Sequence, residues 1–509
     1  MTRYRHLITE DNRKWWTLGA MCFALFMIML DNTVVNVALP SIQRDLHASI
    51  SGLEWTINGY TLSFAVLLAT GGRLGDIFGR RRMFLFGVVI FALSSATAGF
   101  AVNSTDLVIS RVVQGVGAAL MMPATLSIIT DAFPASERGK AMGMWAGVSA
   151  LALAVGPVVG GALTEHVSWR AIFYLNIPVA IGAVTAALFA VRESRDTSVG
   201  REVDYAGVVG REVDYAGVVV LTAALTALIL ALVEGNEWGW GSTEIVALLI
   251  GAVIGLAAFV AIELRVKVPM VEFRFFSDRN FLGAVVVALI VSFSMLGVFF
   301  FLALYMQNIL HYSPLEAGVR FLPSTLMIVG VAPVAGRLAD RFGPRWLIAA
   351  GLAIVAASLY SFSGIAVDSG YLDLLPGFML LGIGIALTMS PMTSAAMNAV
   401  PVEKAGIASG VLSMFRMVGG SLGVAVTGAI FQGAVGTSFA SASPQQFVDA
   451  LGSAMGVCAV VAVLGAVIGA TAIRAKRDTL SVEAVEAAVN PGGSQVAARE
   501  TVAAGEPAA

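Results

Sequence analysis

GRLGDIFGRRR, from Gly72 to Arg82, is matched 264 residues later by GRLADRFGPR, from Gly336 to Arg345. In each copy a Gly is followed four residues on by Asp, at Asp76 and Asp340, and three further on by Gly, at Gly79 and Gly343. Arginines cluster around both, and long apolar runs flank them. A short basic loop between hydrophobic spans, occurring twice, implies two related halves; repeat-built membrane transporters work by moving such halves against each other.

Composition agrees. The chain is 58% hydrophobic and 13% charged, with mean hydropathy +0.84, against roughly 25% charged in soluble domains. It reads as an all-α integral membrane protein whose first partner is the lipid bilayer. The net charge of −2 is too near zero to imply a nucleic-acid or acidic partner, and no nucleic acid is expected. Cys22 and Cys458 both lie in apolar runs, so neither a disulfide framework nor a thiolate metal site is expected. The first apolar run is long enough to span and lacks a small-residue cleavage site, so it reads as a retained helix.

A crossing needs about 20 apolar residues, and fourteen segments qualify, the first near 16–38 and the last near 451–473. They divide into six spans over 16–191, two over 214–264 and six over 281–473, so that each loop copy follows the second span of its half. The remainder is an N-terminus of 1–15, a loop of 192–213, a connector of 265–280 with alternating charged and apolar residues, and a tail of 474–509 expected to be disordered. With the N-terminus in the cytoplasm, 26 of the 31 Lys and Arg fall on the cytoplasmic side, which predicts both termini inside. Residues 200–209 and 210–219 are identical, GREVDYAGVV twice. Starting a helix in the first copy would put Arg211, Glu212 and Asp214 into hydrocarbon at about 2.5–3.5 kcal/mol each if central. The first copy therefore reads as loop, and the duplication as a tolerated insertion without a role of its own.

Charges inside spans are costly and are functional candidates for that reason. Asp31, in LDNTVVNVALP, lies about 24 Å from the cytoplasmic start of the first span at 1.5 Å per residue. Arg111, in RVVQGVGAALMMP, enters from the opposite side to a similar depth, and Gln114 shares its face one turn on. An Asp that alternates between a cation and an apolar wall can take up and release a proton; a static ion pair that only fixes helix packing is the other reading. Arg416, in SMFRMVGG, lies near the midplane and either faces a cavity or satisfies itself on backbone carbonyls. GPVVGG, Gly156 to Gly161, combines Pro157 with glycines that allow close helix contact, as a hinge or seal or as ordinary tight packing. Phe299, Phe300, Phe301 and Tyr305 can line an apolar pocket or simply pack.

No GxxxxGK[ST] occurs, which excludes an ATP-driven pump of the phosphate-loop kind. His6, His47, His166 and His311 are scattered outside the spans, which leaves no buried imidazole site for metal or general-base chemistry. No cofactor beyond a proton gradient is implied, and the chain is not read as an enzyme. A non-transporting sensor or scaffold has no need of Asp31 and Arg111.

Together these segments resemble a known family. GRLGDIFGRRR resembles the loop signature of the major facilitator superfamily. LDNTVVNVALP, RVVQGVGAALMMP, GPVVGG and SWRAIFYLNIP, in that order, resemble the motifs of its drug:proton antiporter-2 branch, as do LYMQNILHYSPLEAGVRFLP and GRLADRFGPR further on. The likeness runs from about residue 15 to 475. It implies a major facilitator fold of two six-helix halves plus two extra central helices. It further implies a proton-coupled efflux transporter of amphipathic drugs, dyes or disinfectants, or a dedicated exporter of one metabolite or self-made antibiotic. By position it assigns antiport to Gly156, Pro157, Gly160 and Gly161, proton coupling to Arg111, and the proton or substrate site to Asp31. It makes a conformational gate of Gly72, Asp76, Gly79 and Arg80, with Asp340 in the second copy, and brings Asp76 to the start of the helix near Ala405. Two departures stand out: Ala152 where a Gly is usual, and Pro344 where the second loop should have Arg. Arg outnumbers Lys 26 to 5, a GC-rich bias that suggests a bacterial cell membrane, and a monomer is the expected state.

Overall fold

A backbone in hydrocarbon must satisfy its own hydrogen bonds, and apolar segments of this length do so as helices. The computed structural model describes residues 9–195, 214–266, 269–401, 404–435 and 442–474. Within them the first half contains α1 (Glu10–Leu46), α2 (Ile50–Phe78), α3 (Arg80–Gly99), α4 (Ser104–Ala132), α5 (Ala135–His166), α6 (Ala171–Tyr174) and α7 (Asn176–Ala190). A hairpin of α8 (Tyr215–Trp238) and α9 (Thr243–Glu263) follows. The second half contains α10 (Arg279–Asn308), α11 (Pro314–Arg320), α12 (Leu322–Phe342), α13 (Pro344–Ser363), α14 (Tyr371–Met397), α15 (Ala405–Val435) and α16 (Pro444–Ala472). The α6–α7 and α11–α12 pairs each make one crossing, so the described residues form 14 spans.

Helix ends reach beyond the apolar runs where polar caps allow it. Thr9 and Asn12 form a capping box, the Thr9 N–H donating to Asn12 Oδ1 at 2.8 Å. This starts α1 at Glu10, six residues before the apolar run, because the cap satisfies donors the hydrocarbon could not. In the duplicated segment, Asp214 of the second copy caps α8 by accepting from the Gly217 N–H at 2.8 Å. The first copy, residues 1–8 and the tail from 475 lie outside the described residues. The connector is more than an interfacial strip. Its Val271 and Phe275 are buried in the core, Glu272 pairs with Lys404 at 2.5 Å, and Phe273–Ser277 forms a 3-10 turn.

The two halves repeat in their backbones. Gly79 and Gly343, 264 residues apart, each end one helix and begin the next at φ 109° and 82°, a conformation that side chains with a Cβ resist. Likewise Gly87 meets the Gly117 backbone as Gly351 meets that of Gly384.

Between the halves, α5 packs on α11 and α12, α2 on α15, and α1 on α10. These contacts concentrate at the end away from the two loops. There Gln307 of α10 donates to the Val37 carbonyl of α1 at 2.8 Å, and the Leu315 N–H donates to Glu165 at 3.0 Å. Towards the loop end the halves part, and open space surrounds Gly139, Gly143 and Gly147 of α5, Gly330 of α12, and Gly406 and Gly410 of α15.

Candidate functional site

The deepest polar cluster lies wholly within the first half. Asp31 of α1 is 0% exposed and Arg111 of α4 is 1% exposed, and Arg111 Nη1 donates to Asp31 Oδ2 at 2.5 Å. The other carboxylate oxygen accepts from Gln114 Nε2 at 2.9 Å and from Asn176 Nδ2 at 3.1 Å. Arg111 also donates to Gln114 Oε1 at 2.7 Å and to the Thr56 carbonyl of α2 at 3.1 Å. Its guanidinium lies over the Tyr60 ring, 4.2 Å from the centroid. Both charges are thus desolvated, paired and almost fully hydrogen-bonded, the condition under which burial is sustainable. Arg111 is held from several directions, so it keeps partners of its own if Asp31 becomes neutral.

GPVVGG sits where α5 is pressed between α1 and α11. A side chain at Gly156 would strike Thr33, one at Gly160 the Val34 backbone, and one at Gly161 the backbone of Pro314 and Leu315. Gly318 in turn abuts the Pro157 carbonyl. Gly161 and Gly318 therefore let the two halves meet at the closed end, while Gly156 and Gly160 let α5 lie against α1 within the first half. Ala152, despite its methyl group, is 0% exposed, so the turn packs without glycine.

At the opposite end, Arg80 Nε donates to Asp76 at 3.0 Å and its Nη1 to Asp131 of α4 at 2.6 Å. The Arg80 N–H donates to the Ser194 carbonyl at 3.0 Å, and Glu193 fills the space beside Gly79. Gly72, Asp76 and Arg80 line a cavity of about 470 Å³ together with Gly406, Gly410 and Ser413 of α15. Asp76 and the start of α15 thus face one another across a gap. Asp340 is exposed at the same end. Arg416 is one turn beyond Ser413, and its Nε is buried with no hydrogen-bond partner among the described residues. The backbone-carbonyl reading is not met at that nitrogen.

This end-to-end arrangement, with paired halves closed at one end and parted at the other, is a transporter architecture. Residues 21–424 match the Major Facilitator Superfamily. The chain belongs to this superfamily. It is a multi-pass membrane transporter and not an enzyme, and its fourteen spans fit the drug:proton antiporter-2 branch. Among curated relatives it is similar to the tetracenomycin C resistance and export protein of Streptomyces glaucescens, 38% identical over 84% of this chain and 78% of that protein. The puromycin resistance protein of Streptomyces alboniger is 38% identical over 89% and 91%. The multidrug resistance protein Stp of Mycobacterium tuberculosis is 35% identical over 81% and 75%. Among solved structures, a bacterial homologue of the human lysosomal transporter Spinster, inward-facing and unoccupied, superposes with TM-score 0.63 at 17% identity, covering 90% of this chain and 97% of that one. That likeness concerns the fold alone.

This facilitator's cluster has a member the motifs contained but did not single out. Asn176, in SWRAIFYLNIP, joins Asp31 to Ser95, whose hydroxyl it reaches at 2.9 Å. It is uncharged, so the cost of burying charge gave no signal; its place one residue after the α6–α7 break was the available clue. For the aromatic run of α10 the structure selects the packing reading. Phe300, Phe301 and Tyr305 are 0% exposed and stack on one another, on Phe431 and on Phe447, while Phe299 packs on Phe321. Their described contacts are packing contacts within the second half.

Proposed function

We propose that this facilitator exports amphipathic small molecules in exchange for protons by alternating access. The observation that carries the reading is Asp31, sealed within one half with both oxygens accepting hydrogen bonds from Arg111, Gln114 and Asn176. Relatives named for resistance and export support the cargo class. The positive-charge asymmetry supports loops and both termini in the cytoplasm, in a bacterial cell membrane, and a monomer suffices for the cycle. The described form is then open to the cytoplasm. Cargo enters between the parted halves; their rocking closes the loop end and separates GPVVGG from α11. Water then reaches Asp31 from the more acidic side and a proton loads, while Arg111 keeps the Thr56 carbonyl, Gln114 and the Tyr60 ring. On return the donor set re-forms around Asp31 and the proton leaves to the cytoplasm. The driving force is the proton gradient, with no bound cofactor.

The test is flux in inverted vesicles with a fluorescent pH-gradient reporter and a panel of cationic dyes and neutral antibiotics. A compound should collapse the gradient in the parent and not in Asp31→Asn. If no compound does so with folded, inserted protein, the export reading fails. A second reading, a dedicated exporter of one self-made antibiotic, is favoured by the relatives from Streptomyces. A response confined to one chemical class would select it.

A further inference from the structure

Glu54 lies on α2 at the seam between the halves and is 0% exposed. Its Oε1 accepts from Gln432 Nε2 of α15 at 3.0 Å. Oε2 is equally buried and has no hydrogen-bond partner among the described residues. The carboxyl group occupies the space a side chain at Gly428 would need, so α15 has a notch where Glu54 enters. Four residues along α2, Asn58 Oδ1 accepts from Ser421 Oγ at 2.8 Å. One stripe of α2 is thus zipped to α15 at the closed end, and Glu54 is its ionisable tooth.

Among the described residues no cation neutralises it. On α15 the nearest charge is Arg416, twelve residues before Gly428 and so about 18 Å away along the axis. On α8 the neighbouring charge is Glu234, which accepts from Trp55 Nε1 at 3.1 Å, with Glu237 beyond it. Arg111 of α4 is committed to Asp31, and Asp45 of α1 to Trp169 and Arg170. The arginines of α3 lie at the other end of the bundle. Tyr305 of α10 donates to the Ala366 carbonyl at 2.8 Å. An ionised carboxylate buried without a cation carries a heavy desolvation penalty, whereas the neutral acid bonds well to an amide.

We propose that Glu54 is a second proton-binding residue of the transport cycle: as a neutral acid it lets the α2–α15 seam close, and its ionisation keeps the seam open. This rests on the alternating-access reading above. The proton leaves to, and returns from, the solution on the seam side as that side opens and closes. Glu54 therefore adds nothing to the number of protons carried across the membrane and instead makes closure acid-dependent. The closed form binds one more proton than the open one, so acid favours closure and alkali favours opening.

The experiment places spin labels at Thr105→Cys and Asp368→Cys, exposed positions at the seam end of either half, in full-length protein lacking Cys22 and Cys458 and held in nanodiscs. Pulsed resonance distances are read from about pH 5 to about pH 9, with Asp31 intact and as Asp31→Asn. The long-distance population should rise by up to about tenfold per pH unit through the transition, as linkage to one proton requires, in both backgrounds. Glu54→Gln should remove that dependence and stay short throughout. A dependence that survives Glu54→Gln overturns the proposal, as does a parent protein whose distances ignore pH. Should Glu54→Gln fail to fold, Gln432→Leu, which keeps the carboxyl and removes its partner, must move the midpoint; an unmoved midpoint also overturns it. The distances need no cargo, so a failed flux assay beside intact pH dependence would sink the export reading alone.

Discussion

The two copies of the GRLxD loop share a shape and differ in wiring. Both turn on a glycine with positive φ, Gly79 and Gly343. In the first, Arg80 clasps Asp76 of α2 and Asp131 of α4, and its N–H reaches Ser194 beyond α7. In the second, Pro344 stands at Arg80's place and has neither guanidinium nor N–H. Arg341 and Arg345 lie instead over Phe342 and Trp346, 5.2 and 4.8 Å from the ring centroids. The repeated Gly makes the turn; the unrepeated Arg recruits the neighbours. The same contrast recurs deeper in the bundle, where Arg111 of the first half is paired on every side and Arg416 of the second has an Nε with no partner among the described residues.

The strongest way to break the comparison is at those deep arginines. Arg111→Ala leaves Asp31 buried without its cation and should cost about 3–5 kcal/mol, read as a large fall in the thermal midpoint of the detergent-solubilised protein. Arg416→Ala removes a half-buried charge whose Nε has no partner among the described residues and should leave that midpoint unchanged or higher; equal losses would show that the halves do not differ. Next come the loops. Asp76→Asn should reduce flux by about tenfold, on the order of 1.4 kcal/mol of coupling, and Asp340→Asn by less than about twofold. Equal effects would mean that wiring is irrelevant to the gate. The smallest effect sharpens the contrast by repair. Asn398 follows Gly384 as Asp131 follows Gly117, fourteen residues on in each half. Pro344→Arg combined with Asn398→Asp should build the missing clasp, adding about 0.2–1 kcal/mol as an exposed pair does, and the gain should vanish in either single variant.

Much of this is legible in the sequence. Asp31 and Arg111 could be matched because insertion depth follows from 1.5 Å per residue, and charges are rare enough in hydrocarbon for two at one depth to pair. The fourteen spans were legible from length and apolarity. What escaped was set by neighbours. Glu54 stands one residue inside the start of the apolar run at 53, where a charge usually faces water, and it is buried against Gln432 and Gly428 of α15. Asn176 has no charge to announce it. The rings of α10 read equally well as pocket or packing, since an aromatic stripe has the same pattern in both, and Phe431 and Phe447 decide the matter from elsewhere in the chain.

The hairpin between the halves is joined to both. Glu234 of α8 accepts from Trp55 of α2, while Asn236 donates to the Ala429 carbonyl of α15 at 2.7 Å. Towards the loop end, Val218 of α8 and Met270 of the connector wall the cavity on the same flank. The cleft consequently has a screened flank, and on the α5 and α12 flank open space surrounds Gly139, Gly143, Gly147 and Gly330. On the export reading proposed above, an apolar cargo in the leaflet at the loop end meets a shutter on the α2–α15 side. The two added helices thereby give a nearly two-fold molecule a front and a back.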